Sequence, residues 1–319
     1  MINLAIIGAT GLVGQEVIEV LDEEGLLYDL NLTLFASEKN SGKRYFFKGN
    51  EFNILELSEK NLTSNFDVAI FSSGTDVSFA WVERFAAAGT CVIDNSSAFR
   101  QHNNVPLVVP EINFDDVKKN YKIISNPNCS TTQLAIVLNK LRRVCEIEQI
   151  VVSTYQSVSG AGKSALFDLK NDTNNFYKMG IKNNIIPYIS EFDENGNCEE
   201  ENKIMFELNK ILKSQIKICA TTVRVPIERC HGESVYVKFK NNVKIEQIKN
   251  ELKCEYIAVK NDKDVYPSNC TNTNLTYVCR LRQISDNEIM FFVLADNLRR
   301  GAAFNAVLIL KKLLDKQFV

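Results

Sequence analysis

A cysteine stands in a polar turn, Ser125-Asn126-Pro127-Asn128-Cys129-Ser130-Thr131-Thr132, and a long amphipathic segment, Thr132–Arg143, begins at once. That places the Cys129 thiol at or near a helix N-terminus, where the positive end of the helix dipole favours thiolate over thiol. Each unit by which a thiol pKa falls is worth about 1.4 kcal/mol, and a lowered pKa makes a nucleophile at neutral pH. Taken alone, a cysteine at a helix start is more commonly a small buried hydrophobe. The chain has two histidines. His231, in Cys230-His231-Gly232-Glu233 before a strand, reads equally as a proton carrier and as a surface-loop residue. His102, in polar Gln101–Asn104, reads as a solvated loop residue. Cys230 adjoins His231, but adjacent side chains point apart, so the two are not read as a pair.

A second constellation lies at the N-terminus. Gly8-Ala9-Thr10-Gly11-Leu12-Val13-Gly14 follows an apolar strand and opens a helix. Glycine lets the backbone turn tightly and approach a pyrophosphate, whose charge then sits on the helix N-terminus. Gly8, Thr10, Gly11, Leu12 and Val13 are the expected nucleotide contacts. The second strand ends in Phe35–Lys43, where an NAD enzyme would place an acidic residue for the ribose hydroxyls. Here Ser37 and Lys39, with Asn40 and Lys43, offer groups suited to a 2′-phosphate, although Glu38 stands among them. The preferred cofactor is NADP; the bland alternative is a solvated charged turn. Ser73 and Gly74, in Ser72-Ser73-Gly74-Thr75 after another strand, lie where such folds line the nicotinamide crevice.

The elements that position these residues change character along the chain. The first half alternates strands (Asn3–Ile7, Leu32–Ala36, Val68–Phe71, Cys91–Asp94, Lys122–Ile124) with helices (Val13–Leu21, Val77–Ala88), the pattern of a parallel sheet with right-handed crossovers. After Cys129, β-rich runs at Gln149–Ser157, Ile216–Val225, Ser234–Phe239, Tyr277–Gln283 and Glu288–Leu294 mix with helical segments at Gly162–Tyr177, Ile204–Lys213 and Val243–Lys253. This predicts a largely antiparallel α+β domain. The polar segment Asp193–Glu201 reads as a surface loop. A last helix over Gly301–Lys316 is expected to pack back on the first domain. The fold class is therefore α/β, with a Rossmann-type domain over residues 1–127, joined by a C-terminal helix at 300–319, and a second domain over 128–299. The main boundary falls near Ser125–Asn128.

Composition narrows the function class. With 319 residues, 45% apolar and 24% charged, the chain is an ordinary globular one, and a net charge of −2 provides no field for nucleic acid or anionic lipid. No apolar stretch reaches the roughly 20 residues of a membrane span. The N-terminus enters Asn3–Ile7 without a basic prefix or cleavage site, so no signal peptide is expected. Nine scattered cysteines without a C-x-x-C pair predict reduced thiols in a cytoplasmic protein, with no metal site.

The chain resembles the aspartate-β-semialdehyde dehydrogenase family over nearly its full length. The resemblance rests on Gly8–Gly14, Ser96-Ser97-Ala98-Phe99-Arg100, Val105–Glu111, Asn126-Pro127-Asn128-Cys129-Ser130, Tyr155–Gly162, Arg224-Val225-Pro226 with His231, and Ala295–Gly301. It implies reduction of L-aspartyl-4-phosphate by NADPH to phosphate and aspartate semialdehyde, a step feeding lysine, methionine and threonine biosynthesis. It implies a glyceraldehyde-phosphate-dehydrogenase-like second domain that is catalytic and dimerising, in a homodimer or homotetramer. Cys129 then matches the residue that carries a thioester, His231 the acid/base, and Gln156 the residue that orients the thioester or its oxygen. Arg100 matches the phosphate ligand and Arg224 the carboxylate ligand. Lys203 joins Arg100 at phosphate, and Glu200 holds the substrate ammonium. Ser159 and Gly160 approach the cofactor, and Asn297 bonds the nicotinamide amide.

Each assignment has an ordinary counterpart. Glu200 and Lys203 sit in an acidic run where a surface ion pair is the default, and only the family's Glu-x-x-Lys spacing selects Glu200 over Glu199 and Glu201. Asn128 either donates to phosphate or caps the helix. Gln156 reads also as a strand-end polar residue, and Asn297 as a cap for the helix near Gly301. The nearest rival enzyme is N-acetyl-γ-glutamyl-phosphate reductase, which resembles Asn-Pro-Gly-Cys at the nucleophile and has no ammonium for Glu200 to bind. A silent dinucleotide sensor is the rival from another class; retention of Cys129, Gln156 and His231 argues against it.

Overall fold

The computed structural model describes residues 1–61, 66–260 and 263–319. The chain divides into two units, Met1–Pro127 with Ala302–Val319, and Asn128–Gly301.

The first unit begins with β1 (Ile2–Ile7), α1 (Leu12–Glu23) and β2 (Leu30–Ala36), continues through β3 (Arg44–Phe47) and β4 (Asn50–Glu56), and then runs β5 (Val68–Phe71), α2 (Thr75–Ala87), β6 (Cys91–Asp94), a short α3 (Pro110–Asn113) and β7 (Ile123–Ser125). Its sheet has the order β3-β4-β2-β1-β5-β6-β7. All neighbours pair in parallel except β3 with β4. Leu4, Ile6, Val68, Ile70, Val92 and Ile93 are fully buried, as expected of central strands covered on both faces. β1 lies between β2 and β5, so strand addition reverses there. The crevice beyond the carboxyl ends of such strands is where sheets of this class bind ligands.

The β3–β4 hairpin is absent from the elements expected on sequence. Its loop is Lys48-Gly49, both with positive φ (46° and 84°). That is the two-residue turn whose twist matches a hairpin, and a lysine at its first position hides the signal.

The second unit contains α4 (Cys129–Val144), β8 (Ile147–Gln156), α5 (Lys163–Asn171), α6 (Glu199–Leu212), β9 (Lys217–Arg224), β10 (His231–Phe239), α7 (Ile245–Glu251), β11 (Ile257–Val259), α8 (Pro267–Cys270), β12 (Thr276–Ser285) and β13 (Glu288–Ala295). The sheet order is β11-β12-β13-β10-β8-β9, mixed but antiparallel at its centre. Alternation along β8 sends Ile150, Val152, Thr154 and Gln156 inward, while Val151 and Tyr155 are exposed. α4 packs against β8, β10 and β13 and against α6 and α7.

Two expectations for this unit change. The helix expected over 162–177 stops at Asn171. Asp172 adopts a left-handed conformation, and the Asp168 carboxylate accepts from Thr173 Oγ1 and from the backbone N–H groups of Asn175, Phe176 and Tyr177. The acidic loop expected to run to Glu201 ends earlier, because Glu199 already opens α6. Cys198 and Glu201 form a capping box there, with Cys198 N–H donating to Glu201 Oε2 at 2.8 Å.

The final helix, α9 (Phe304–Asp315), follows a π-helical turn at Arg299–Ala303 and returns to the first unit, where it packs on α1, α3 and β6. Asn305 on α9 donates to Val108 O at 2.9 Å and to Asn126 Oδ1 at 2.6 Å. Among the described residues, no helix is long and apolar enough to cross a membrane.

Candidate active site

The second unit brings most of the chemistry-bearing side chains together. Cys129 is the first residue of α4, and Asn128 is its N-cap. The Asn128 Oδ1 accepts from Ser130 N–H (2.9 Å) and Thr131 N–H (3.3 Å), so this side chain does cap the helix. The other end of the same amide reaches a different element, with Nδ2 donating to Glu200 Oε1 at 2.8 Å. Gln156, at the end of β8, donates from Nε2 to the same oxygen at 3.1 Å. Three candidate residues from separate elements therefore meet at one carboxylate.

The three consecutive glutamates point to different partners. Glu200 is buried and faces Asn128 and Gln156. Glu201 turns to the cap and to Thr222 N–H. Glu199 takes the more exposed ion pair with Lys203 at 2.7 Å, whereas the Lys203 nitrogen stands 3.8 Å from Glu200 Oε2. The ordinary surface pair exists, but it is Glu199 that makes it.

His231 begins β10 and is fully buried. Its Nδ1 lies 3.0 Å from the Ser157 N–H and 3.1 Å from Ser157 Oγ. Since the backbone N–H can only donate, Nδ1 is an acceptor and the ring proton belongs on Nε2. That nitrogen has no protein partner. Burial, then the nearby Arg224 guanidinium, push the imidazole pKa down to about 3, so the ring is neutral at physiological pH. Arg224, at the end of β9, donates from Nη1 to Ser157 O at 2.6 Å. A Cβ on Gly160 would lie 3.0 Å from Arg224 Nη1 and 3.1 Å from His231 Nε2, so the absence of a side chain keeps that space open. Ser159 and Asn297 are also placed here, but the Asn297 side chain is engaged within the protein: its Oδ1 accepts from Ser157 Oγ, Ser159 Oγ and Cys230 N–H, and its Nδ2 donates to Ser159 Oγ. It does not cap the helix near Gly301. Asp296 accepts the N–H groups of Leu298 and Arg299 instead. Cys230 turns its sulfur away to Pro267 O and Thr271.

Three contributors are not legible in the sequence. Ser157 holds the histidine tautomer. Glu207, buried on α6, accepts the Asn128 N–H at 2.7 Å. Gly301 packs directly on Cys129, since a Cβ there would lie 2.7 Å from Cys129 Cβ. Ser157 and Gly301 lie inside the motifs Tyr155–Gly162 and Ala295–Gly301, but nothing in their types announces these contacts. Glu207 has no local signal.

The first unit carries the candidate nucleotide turn. Gly8 has φ 82°, and a Cβ on it would stand 2.6 Å from Ser72 O. A Cβ on Gly14 would stand 2.3 Å from Gly8 O. The glycines thus close the turn between β1, β5 and α1. The α1 N-terminus has Gly11 as its cap, with no side-chain cap bond and no acidic residue in its first turn. Its N–H groups suit an incoming phosphate. Leu12 and Val13 begin that helix. Thr10 Oγ1 accepts from Asn40 Nδ2 at 3.3 Å, and Lys43 donates to Asn40 Oδ1 at 2.7 Å. Ser37, Glu38 and Lys39 are exposed in the turn after β2. Ser73 Oγ is buried without a partner beside Gly74, the N-cap of α2. An orphaned hydroxyl and a glycine cradle fit a dinucleotide. Arg100 is in this unit too, nearly buried, donating to Asn95 O at 2.6 Å. His102 is exposed, with its ring edge on Phe99.

Comparison with known proteins places this arrangement. Residues 3–120 match the family description "Semialdehyde dehydrogenase, NAD binding domain", and residues 138–300 match "Semialdehyde dehydrogenase, dimerisation domain". The chain is 38% identical to the aspartate-semialdehyde dehydrogenase of Aquifex aeolicus, over 99% of both chains. Its structure is similar to that of Vibrio cholerae aspartate semialdehyde dehydrogenase II complexed with ASA (TM-score 0.92, 36% identity, 99% of this chain and 98% of that one). It is also similar to the Candida albicans aspartate semialdehyde dehydrogenase with NADP (TM-score 0.80, 25% identity, 100% of both chains).

Proposed function

The chain belongs to the aspartate-semialdehyde dehydrogenase family, and from that premise we propose that it reduces L-aspartyl-4-phosphate to L-aspartate 4-semialdehyde and phosphate with NADPH. The observation that carries this reading is the convergence of Asn128 and Gln156 on the buried Glu200, next to the helix-start Cys129. A buried carboxylate beside a nucleophile suits a substrate with an ammonium group, which an N-acetylated one lacks.

The Cys129 thiolate attacks the acyl carbon, and the acyl–phosphate bond breaks with release of phosphate. The product is a thioester on the sulfur. A nicotinamide held by the residues named below would supply the hydride that reduces the thioester carbonyl. His231 then stabilises the negative charge on oxygen by hydrogen bonding, without giving up its proton. Its neutral ring presents Nε2–H, which donates to the oxyanion of the tetrahedral species, alongside the N–H groups of the α4 N-terminus. Collapse breaks the carbon–sulfur bond and returns the thiolate. Gln156 orients the acyl group, Arg224 pairs with the α-carboxylate, Glu200 holds the ammonium, and Arg100 and Lys203 bind phosphate.

Gly8, Thr10, Gly11, Leu12, Val13, Ser37, Lys39, Asn40, Ser73 and Gly74 form the nucleotide site in this reading, with Ser159, Gly160 and Asn297 on the nicotinamide side. Lys39 and Ser37 favour the 2′-phosphate and so NADP over NAD. Residues 1–127 with 300–319 form the nucleotide domain, and 128–299 the catalytic and dimerisation domain. The exposed Val151 and Tyr155 on the open face of β8, with Tyr155 packed on Phe292, support a homodimer, or a homotetramer built from it. None of the nine cysteines is in a disulfide, which fits a reducing, cytoplasmic setting, and the family relationship carries the place in lysine, methionine and threonine biosynthesis.

The test is phosphate-dependent reduction of NADP with aspartate semialdehyde, run beside NAD and beside N-acetylglutamate semialdehyde. Turnover with the acetylated substrate alone refutes the reading.

A further inference from the structure

A second buried carboxyl group lies beneath the proposed catalytic residues. Glu233 follows His231 by two positions on β10, so both side chains share the strand face that α4 covers. Glu233 is fully buried, and neither of its oxygens has a donor. Across the sheet its register partners are Val293 on β13 and Thr154 on β8. Among the described residues, no cation pairs with it. From α4 the polar group that approaches the carboxyl is Gln133. Gln133 is four residues after Cys129 and therefore lies one helical turn below the thiol on the same face.

The orientation of the Gln133 amide is fixed at one end. Its Nε2 donates to His231 O at 3.2 Å. A flipped amide would set Oε1 against that carbonyl, acceptor against acceptor. Gln133 Oε1 consequently points elsewhere and, like both Glu233 oxygens, is buried without a donor. Three buried acceptors without a protein donor are an unstable arrangement. A single proton on Glu233 resolves it, because a protonated carboxyl donates to Gln133 Oε1.

We propose that Glu233 is held as the neutral acid and serves as a positioning residue: it donates its proton to Gln133 Oε1, while Gln133 Nε2 holds the main chain of His231 against the helix that carries Cys129. The link runs from nucleophile helix to proton-carrying strand through two neutral side chains. Burial pushes the Glu233 carboxyl well above the ordinary carboxylate range and outweighs the nearby Gln133 amide, which by itself lowers it. The role rests on the reading of Cys129 and His231 as the reacting pair, whereas the protonation state does not depend on it.

Infrared difference spectroscopy of the whole enzyme against Glu233→Gln at pH 7 is the experiment. The expected result is a protonated-carboxyl C=O band in the wild type that vanishes in the variant, whether or not either protein turns over aspartate semialdehyde. No such band overturns the proposal. The kinetic arm tests positioning. Glu233→Gln, whose amide also donates, is expected to keep kcat within about threefold, whereas Glu233→Leu, which leaves Gln133 Oε1 unpaired, is expected to lower kcat about tenfold with little change in KM. Equal kcat in the Gln and Leu variants, at equal folded fraction by circular dichroism, also overturns it.

Discussion

His231 Nδ1 accepts the backbone N–H of Ser157 at 3.0 Å, and this one contact fixes which ring nitrogen bears the proton. A main-chain donor cannot reverse its role, so the Nε2–H tautomer is the stable one without any carboxylate to orient the ring. The imidazole is buried and lies near Arg224, which together hold its pKa at about 3. It therefore acts as a neutral donor.

That has a consequence for pH. An unfolded histidine titrates near 6.5, whereas the folded one stays neutral to about 3. The group's contribution to stability is thus fully present above about pH 6.5 and is lost as pH falls through that window toward the folded value. Urea denaturation from about pH 7.5 to 5 is expected to show wild type losing stability that His231→Gln does not lose. Parallel curves for the two proteins would contradict a buried neutral imidazole.

Cys129→Ser is expected to reduce turnover by on the order of a thousandfold or more, with NADPH binding by fluorescence unchanged. Mass spectrometry of wild type quenched after mixing with the acyl phosphate, without reductant, should find the acyl group on Cys129. An unmodified side chain under those conditions rules out the thioester.

Asn128 has two separable roles, capping α4 and contacting Glu200. Asn128→Ala removes both and is expected to cost about 0.5–2 kcal/mol of stability for the cap. Asn128→Asp keeps a capping oxygen but sets a second carboxylate against Glu200. The expected outcome is near-normal thermal stability with a clear loss of kcat/KM. Matching activity and stability losses in both variants would mean that the Glu200 contact is only structural.

The proposed 2′-phosphate contact lies in the exposed turn after β2. Lys39→Ala is expected to narrow the preference for NADP over NAD by roughly tenfold, the scale of one charged hydrogen bond. Steady-state KM values for both nucleotides measure it; an unchanged ratio puts the 2′-phosphate contact elsewhere.

Sequence exposes what is local in this chain and conceals what is assembled. β5 and β6 are short runs of apolar residues bounded by polar ones, and both fall at the expected residues, Val68–Phe71 and Cys91–Asp94. Cys129 at a helix start is visible because the turn and the amphipathic run adjoin it. The Lys48-Gly49 hairpin is hidden because a lysine rarely adopts positive φ. The end of α5 is hidden because one side chain, Asp168, gathers four donors that periodicity cannot see. The buried position of Glu200 is masked among three consecutive glutamates, since burial there depends on β8 and α4, which are distant in sequence. Glu207 is concealed for the same reason.

Gly301 offers a test of how tightly Cys129 is held. Its φ lies outside the left-handed region, so an alanine fits the local backbone, and only space is at stake. The added carbon would sit 2.7 Å from Cys129 Cβ and 3.0 Å from Cys129 Cα. Those atoms belong to the first residue of α4 and cannot swing aside like the end of a long side chain. Either the thiol or the π-helical turn at Arg299–Ala303 must move. A displacement of about 1 Å at a reacting atom is enough for a hundredfold loss. Gly301→Ala is thus expected to lower kcat strongly and to change the alkylation rate of Cys129, while nucleotide binding persists. Wild-type kcat and alkylation together would show that the turn yields instead, and that the close approach has no part in setting the sulfur.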